Sequence, residues 1–260
     1  MIAPMTLAIE TNQLTRFFGN FCAVSGIDLE VERGTFYGFL GPNGAGKSTT
    51  IKMLTGLLAP SKGQILVLGK NMLDRGESLE AKRSVGVVPE DLALFDNLRA
   101  REYLTFIGRM YLLPRDTIRS RIDELLPVLG LEGDEKKLTL EYSHGMKKKL
   151  ALAAALLPNP DLLFLDEPFE GVDAVTSRVI RDLLRGYVQR GSTVFLTSHV
   201  LEIVEKLCTH VGIIVKGALV EQAPLDTFRH GGSLEDRFLE KAGADAEAAP
   251  KLTWLEENAP

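Results

Sequence analysis

The stretch Gly41-Pro-Asn-Gly-Ala-Gly46-Lys47-Ser48-Thr49 constrains this 260-residue chain more than any other feature. It fits the pattern G-x-x-x-x-G-K-[ST], and its surroundings fit as well. An apolar run, Phe36–Leu40, leads into it, and a run with helical spacing, Ser48–Leu58, leads out. Strand, glycine-rich turn and helix in that order aim several backbone N–H groups at one spot, where the helix N-terminus adds partial positive charge. Such a spot suits phosphate oxygens. Asn43, Gly44, Ala45, Gly46 and Thr49 frame it, Lys47 is placed to reach the β- and γ-phosphates, and the Ser48 hydroxyl is placed to ligate Mg²⁺.

Short apolar runs recur along the chain at Val85–Val88, Leu162–Leu165, Val194–Leu196 and Val211–Val215. Each is bounded by Gly, Pro or polar residues, which is how strands buried on both faces read. Between them lie helical stripes: Ile51 with Leu54 and Leu58; Val179, Ile180, Leu183, Leu184 and Tyr187. Strand alternating with helix predicts an α/β fold with a parallel sheet. From Asp91 to about Asn159 the alternation stops. Tyr103, Leu104, Ile107 and Tyr111 form one stripe there, and Ile118, Ile122, Leu125 and Leu129 another, which reads as an inserted helical lobe. Leu7–Val31 alternates like an antiparallel flap placed before the core. After Glu221 a short helix and a weakly ordered tail rich in Ala and Glu, as in Gly243–Pro250, are expected.

Two of the strands end in chemistry. Leu162–Leu165 runs into Asp166 and Glu167, which alone reads either as a solvated acidic turn or as a metal ligand beside a water-activating carboxylate. Val194–Thr197 runs into Ser198 and His199; a single histidine there is more often a surface residue. Position changes the weighting. Right-handed crossovers bring the C-terminal ends of parallel strands to one edge, where ligands of open α/β sheets bind. Lys47 with Ser48, Glu90, Asp166 with Glu167, and His199 all follow predicted strands, so four separate runs deliver polar groups to one rim.

The lobe contains Tyr142-Ser143-His144-Gly145-Met146 just before an apolar helix. Taken alone it is a helix cap; it is also a second possible anion site. Lys147–Lys149 reads as a solvated helix face, with a lipid surface or a partner's acidic loop as the alternative contact. Cys22, Cys208, His210 and His230 read as structural or surface residues, and Trp254 as an anchor of the tail.

A net charge of −5 argues against a protein that coats nucleic acid through bulk charge. Hydrophobic content of 45% with 25% charged residues matches an ordinary globular chain and excludes wholesale disorder. Two cysteines without a CxxC pair argue against a zinc site or disulfide framework and fit a reducing cytosol. Met1–Glu10 lacks the pattern of a secretory signal, and the apolar stretch Leu150–Leu157 stops at Pro158, short of the ~20 residues needed to span a bilayer.

Taken together, these motifs resemble those of an ATP-binding cassette (ABC) subunit, from about Leu7 to Glu221. Gly41–Thr49 resembles the Walker A loop, and Leu162–Glu167 resembles Walker B with its glutamate. Tyr142–Met146 is similar to the signature, Gly171-Val172-Asp173 to the D-loop, and His199 to the switch histidine. Phe18 stands where the family has an aromatic that stacks on adenine, and Glu90 where most members have the Q-loop glutamine.

The resemblance implies a P-loop NTPase (RecA-like) core with an antiparallel β subdomain. The ATP-binding domain would span 5–225, with a helical subdomain inserted at about 91–159 and a C-terminal extension at 226–260. It implies ATP and Mg²⁺ as ligands, with Ser48, Asp166 and Glu90 toward the metal and Lys47, Glu167 and His199 in catalysis. It also implies a second cassette, in a homodimer or heterodimer, so that Ser143, Gly145 and Asp173 serve the partner's nucleotide. A separate membrane permease is the further expected partner, which would hold the chain at the cytoplasmic face of the membrane.

His144 replaces a signature glycine and Met146 a glutamine, while Ser143 and Gly145 are kept. The form Tyr-Ser-x-Gly-Met with a Q-loop glutamate resembles cassettes of the ABC-2 export type. Phe169-Glu170 stands where many members have Thr-Asn, and nothing in the sequence explains it. A soluble ABC protein acting on ribosomes or DNA is the alternative class; one motif set without heptads or zinc spacing speaks against it, and no nucleic-acid partner is expected.

Overall fold

The computed structural model describes residues 7–229 and 233–242. The chain opens with three strands, β1 (Leu7–Phe18), β2 (Phe21–Ile27) and β3 (Glu30–Glu32), and enters the core on β4 (Phe36–Leu40). Helix α1 (Lys47–Leu54) follows the glycine-rich turn. It ends four residues before the expected Leu58, because Gly56 turns into the left-handed region (φ +67°). Next come β5 (Lys62–Val67), β6 (Lys70–Asn71), α2 (Arg75–Arg83) and β7 (Val85–Val88). Three helices then follow without an intervening strand: α3 (Ala100–Met110), α4 (Arg115–Val128) and α5 (His144–Leu156). Alternation resumes with β8 (Leu162–Asp166), α6 (Ala174–Gln189), β9 (Thr193–Ser198), α7 (Leu201–Leu207) and β10 (His210–Val215). The described chain closes with β11 (Ala218–Pro224), α8 (Leu225–Arg229) and α9 (Leu234–Ala242).

Among the described residues there are two sheets. In the larger, the order is β11-β10-β4-β9-β8-β7, parallel throughout except for the antiparallel edge strand β11. All five apolar runs singled out in the sequence become its parallel strands. The smaller sheet is antiparallel, ordered β2-β1-β5-β6 with β3 also on β1. It is therefore wider than the expected flap, since β5 and β6 join it from beyond α1. Their signal is weak in sequence: only Ile65 and Val67 of β5 are buried, against β1.

The period-2 geometry of strands divides the core in two. Tyr37 and Phe39 of β4, Phe164 of β8, Phe195 of β9 and Ile214 of β10 point toward the antiparallel sheet and α1. Phe36, Leu40, Leu163, Leu165, Leu196 and Ile213 point the other way, toward the helices and the lobe. On the first side Phe195 is a hub. Its ring stacks on Tyr37 at 5.4 Å and 6° and packs against Phe39 and Phe164. Burying a side chain of that size contributes about 2–3 kcal/mol. On the second side α7 approaches so closely that a Cβ on Gly38 would lie 2.8 Å from Val204 Cγ1.

Phe228 of α8 and Leu234 of α9 are buried on the same core, so the chain past Glu221 remains packed through these two helices. His230, Gly243–Pro250 and Trp254 lie outside the described residues.

Candidate functional site

A cleft of about 470 Å³ opens where the parallel strands end. It is lined by Phe18, Asn43, Gly44, Gly46, Lys47, Ser48, Thr49, Glu90, Glu167 and His199, all expected from sequence. Phe21, Ala23 and Glu170 line it too and were not expected.

One wall is the glycine-rich turn. Gly41 leaves β4 against the backbone of β10, where a Cβ would meet Ile214 O at 2.5 Å, so no other residue fits. Gly46 caps α1 with φ +109°, which turns the first helical N–H groups toward the cleft. Ala45 is buried beneath the loop rather than on its open face. The buried Lys47 side chain folds back over the turn, its Nζ donating to Gly41 O at 2.7 Å and Pro42 O at 3.3 Å.

The opposite wall carries the acids. Asp166 ends β8, and its Oδ1 accepts the Thr197 hydroxyl of the neighbouring β9 at 2.5 Å. Asp166 is buried and does not itself line the cleft, whereas Glu167, the next residue, does. Its backbone leaves strand geometry, with φ +47°, a conformation that costs a residue with a Cβ about 1–2 kcal/mol. Two bonds hold it there. The Glu167 N–H donates to Thr197 Oγ1 at 3.1 Å, and its carbonyl accepts from Lys148 Nζ at 2.7 Å. The buried carboxylate is thereby aimed at His199 Nδ1, 3.1 Å from Oε1, and at Lys47 Nζ, 3.9 Å away. Glu90 reaches in from the end of β7 and accepts the Ser48 hydroxyl at 3.2 Å.

Lys148 corrects the sequence reading. It is not on a solvated face: only 3% of it is exposed. It shares the helical stripe of Leu152 and Ala155, both buried, and that periodicity is the signal that could have found it. Burial pushes its pKa below the usual lysine range, while Glu170, Glu167, Glu90 and Asp166 pull the other way. Lys147 and Lys149 stay partly exposed.

At the outer end stand Phe18 and Phe21, on either side of the β1–β2 turn. Both are exposed, and the Arg16 guanidinium lies over the Phe18 ring at 4.7 Å.

Three further expected residues, besides the buried Ala45 and Asp166, are not in the cleft wall. Ser143 caps α5, its Oγ accepting the Met146 N–H at 3.3 Å, with Gly145 in the first turn. Asp173 caps α6, accepting the Thr176 N–H at 2.9 Å, and that backbone bond holds its carboxyl below the usual range. None of the three lines the cleft.

The sequence profile described as "ABC transporter" matches residues 24–170. The bacitracin transport ATP-binding protein of Bacillus licheniformis is 40% identical over 223 residues, covering 85% of this chain and 71% of that protein. The chain belongs to the ABC transporter family. The linearmycin resistance ATP-binding protein of Bacillus subtilis (strain 168) is another relative, 37% identical over 82% of this chain and 68% of its own length. Among solved structures, the ATP-binding subunit of an ABC transporter matches with a TM-score of 0.84 at 28% identity, covering 90% of this chain and 98% of that one. A dimeric ATP-binding cassette bound to ADP and phosphate matches with a TM-score of 0.76 at 23% identity, over 83% of this chain and 98% of that one, which is a likeness of fold. As an ABC ATP-binding subunit, the chain binds and hydrolyses ATP. No helix among the described residues is long and apolar enough to cross a membrane.

Proposed function

We propose that the cleft holds ATP with Mg²⁺ and that hydrolysis there drives export through a separate membrane subunit. The observation that carries this is the Glu167 carboxylate, set between His199 and Lys47 at the C-terminal rim of the parallel sheet. The ATP-binding domain runs over 5–225, with the helical subdomain at about 91–159 and an extension at 226–260.

In this reading Phe18 stacks on the adenine. The loop from Asn43 to Thr49 cradles the phosphates, and Lys47 exchanges the carbonyls of its own turn for phosphate oxygens. Glu167 orients and polarises the attacking water, and His199 steadies that carboxylate and the departing phosphate. Ser48, Asp166 and Glu90 offer oxygen donors of the kind Mg²⁺ prefers. Among the described residues no cluster of His, Cys, Asp and Glu suffices to hold an ion alone, which suits a metal that takes further ligands from phosphate and water. Bound there, Mg²⁺ supplies neutralisation of charge on the phosphates.

Ser143, Gly145 and Asp173 do not line this cleft, and in this reading they serve the nucleotide of a second cassette. That placement is what supports a working dimer. Between the core and the lobe, a groove lined by Pro89, Leu92, Leu94, Tyr103, Ile107 and Tyr111 begins beside Glu90 and suits an apolar segment of the membrane partner. Relatives named for bacitracin transport, linearmycin resistance and daunorubicin resistance favour export, with the chain peripheral on the cytoplasmic face.

Glu167→Gln tests the core of this proposal. The variant should bind ATP·Mg²⁺, release phosphate at a small fraction of the normal rate and accumulate as an ATP-bound dimer in size-exclusion chromatography. Turnover near normal would remove Glu167 from its role. Copurification with a multi-spanning protein from detergent-solubilised membranes tests the partner.

A further inference from the structure

We propose that Lys148 is a positioning residue for ATP hydrolysis: from the helix that Ser143 opens, it holds the Glu167 peptide in the left-handed conformation that turns the carboxylate into the cleft. The inference rests on the reading of Glu167 as the residue that activates water.

The geometry has three parts. First, Asp166 and Glu167 are adjacent, and a regular strand would send their side chains to opposite faces. Asp166 stays buried on Thr197 while Glu167 lines the cleft, and the backbone breaks from strand geometry between them, at φ +47° for Glu167. Second, this disfavoured backbone is gripped from two sides. Thr197 Oγ1 takes its N–H from within the sheet, whereas Lys148 Nζ, from α5, takes its carbonyl at 2.7 Å. The ammonium is buried and its donated bond goes to a main-chain oxygen rather than to a carboxylate, so it acts on backbone shape directly. Third, α5 touches the same segment again one turn earlier. A Cβ on Gly171, itself at φ +66°, would lie 2.9 Å from His144 Cδ2.

The first two turns of α5 therefore straddle the stretch from Glu167 to Gly171, while its far end is keyed into the sheet, where a Cβ on Gly86 would meet Ala155 O at 2.4 Å. Any shift of α5 against β8 is delivered to the Glu167 carbonyl through Lys148. A helix whose N-terminus carries Ser143 and Gly145 thus also sets the aim of the carboxylate in its own chain.

The test is steady-state phosphate release and ATP·Mg²⁺ binding by the full chain carrying Lys148→Met. The replacement matches the lysine stem in length and removes a buried charge, which offsets part of the cost of leaving the Glu167 carbonyl without its donor. The chain is therefore expected to fold with a modest loss of stability. The expected result is a fall in kcat of about tenfold or more, with KM and ATP affinity within about threefold of normal. Lys148→Arg, which keeps a donor, should recover most of the rate. In a Glu167→Gln background, Lys148→Met should remove nothing further, because both changes act through one carboxylate.

A purely structural lysine would lower the melting temperature and leave the turnover of the folded fraction unchanged, and that result overturns the proposal. If Lys148→Met does not fold, Lys148→Gln, too short to reach the carbonyl, carries the same comparison. Loss of folding in both would make the lysine structural and likewise overturn it. Normal turnover in Glu167→Gln would bring down the underlying reading of the site. Normal turnover in Lys148→Met beside an inactive Glu167→Gln would bring down this inference alone.

Discussion

Thr197 and Asp166 are joined at 2.5 Å, hydroxyl to carboxylate, across the β8–β9 seam, and the same hydroxyl oxygen accepts the Glu167 N–H. One buried side chain thus fixes two consecutive acids. Thr197→Val keeps the shape and deletes both bonds. Leaving a buried N–H and carboxylate oxygen short of partners should cost about 1–3 kcal/mol in stability. The loosened carboxylates should lower kcat by about tenfold or more, with ATP affinity less affected. Chemical denaturation and phosphate release measure the two effects separately.

Gly41 tests the loop. A methyl there meets the main-chain carbonyl of Ile214 at 2.5 Å, a contact that no side-chain rotation can relieve. Gly41→Ala should destabilise the chain by about 1–3 kcal/mol and weaken ATP binding. At Gly44 nothing lies within 4 Å, and only its φ of +77° opposes a side chain. Gly44→Ala should therefore cost less, about 1–2 kcal/mol. Equal losses in thermal melts of the two variants would contradict the clash at Gly41.

At the base end, Phe18→Ala should raise the KM for ATP and spare kcat. Stacking on an aromatic ring is worth about 1–3 kcal/mol, or roughly 5- to 150-fold in affinity. Phe21 lines the same end of the cleft but is more exposed, at 65% against 47%, so Phe21→Ala should have the smaller effect. A larger effect at Phe21 would identify it as the principal stacking ring.

The two cysteines should differ in reactivity. Cys208 is buried against β4, and desolvation pushes its thiol far above the usual range, which leaves almost no thiolate. Cys22 is half-buried near the cleft. Titration with a thiol reagent should give one fast equivalent from the native chain and the second only on unfolding. Cys22→Ser should abolish the fast phase.

In the core, Phe195→Ala should cost about 3–5 kcal/mol, since three aromatic rings lose their common neighbour. A urea midpoint unchanged from normal would contradict its role as the hub.

Much of this protein was written locally. Gly41–Thr49, between an apolar run and a helical one, encodes a turn whose amides converge, because glycine freedom and helix polarity act over a few residues. The five apolar runs predicted the parallel strands, and the handedness of crossovers then brought Lys47, Glu90, Asp166, Glu167 and His199 to one rim. Those inferences need only nearest-neighbour chemistry and chirality.

Other features depend on how elements pack. That β5 and β6 would widen the antiparallel sheet was hidden, because a strand with two buried side chains has little pattern until β1 lies beside it. Lys148 looked solvated within Lys147–Lys149, because charge is read residue by residue whereas burial is set by which face of α5 meets the core. The backbone turn at Glu167 is invisible in the letters Leu-Asp-Glu-Pro; it is held because Thr197 and Lys148, distant in sequence, bond the N–H and the carbonyl of that one residue. The sequence determined which groups reach the rim, through local propensity and handedness. Only the tertiary structure decided how they are aimed, because aim is set by hydrogen bonds that form once separate elements are in contact.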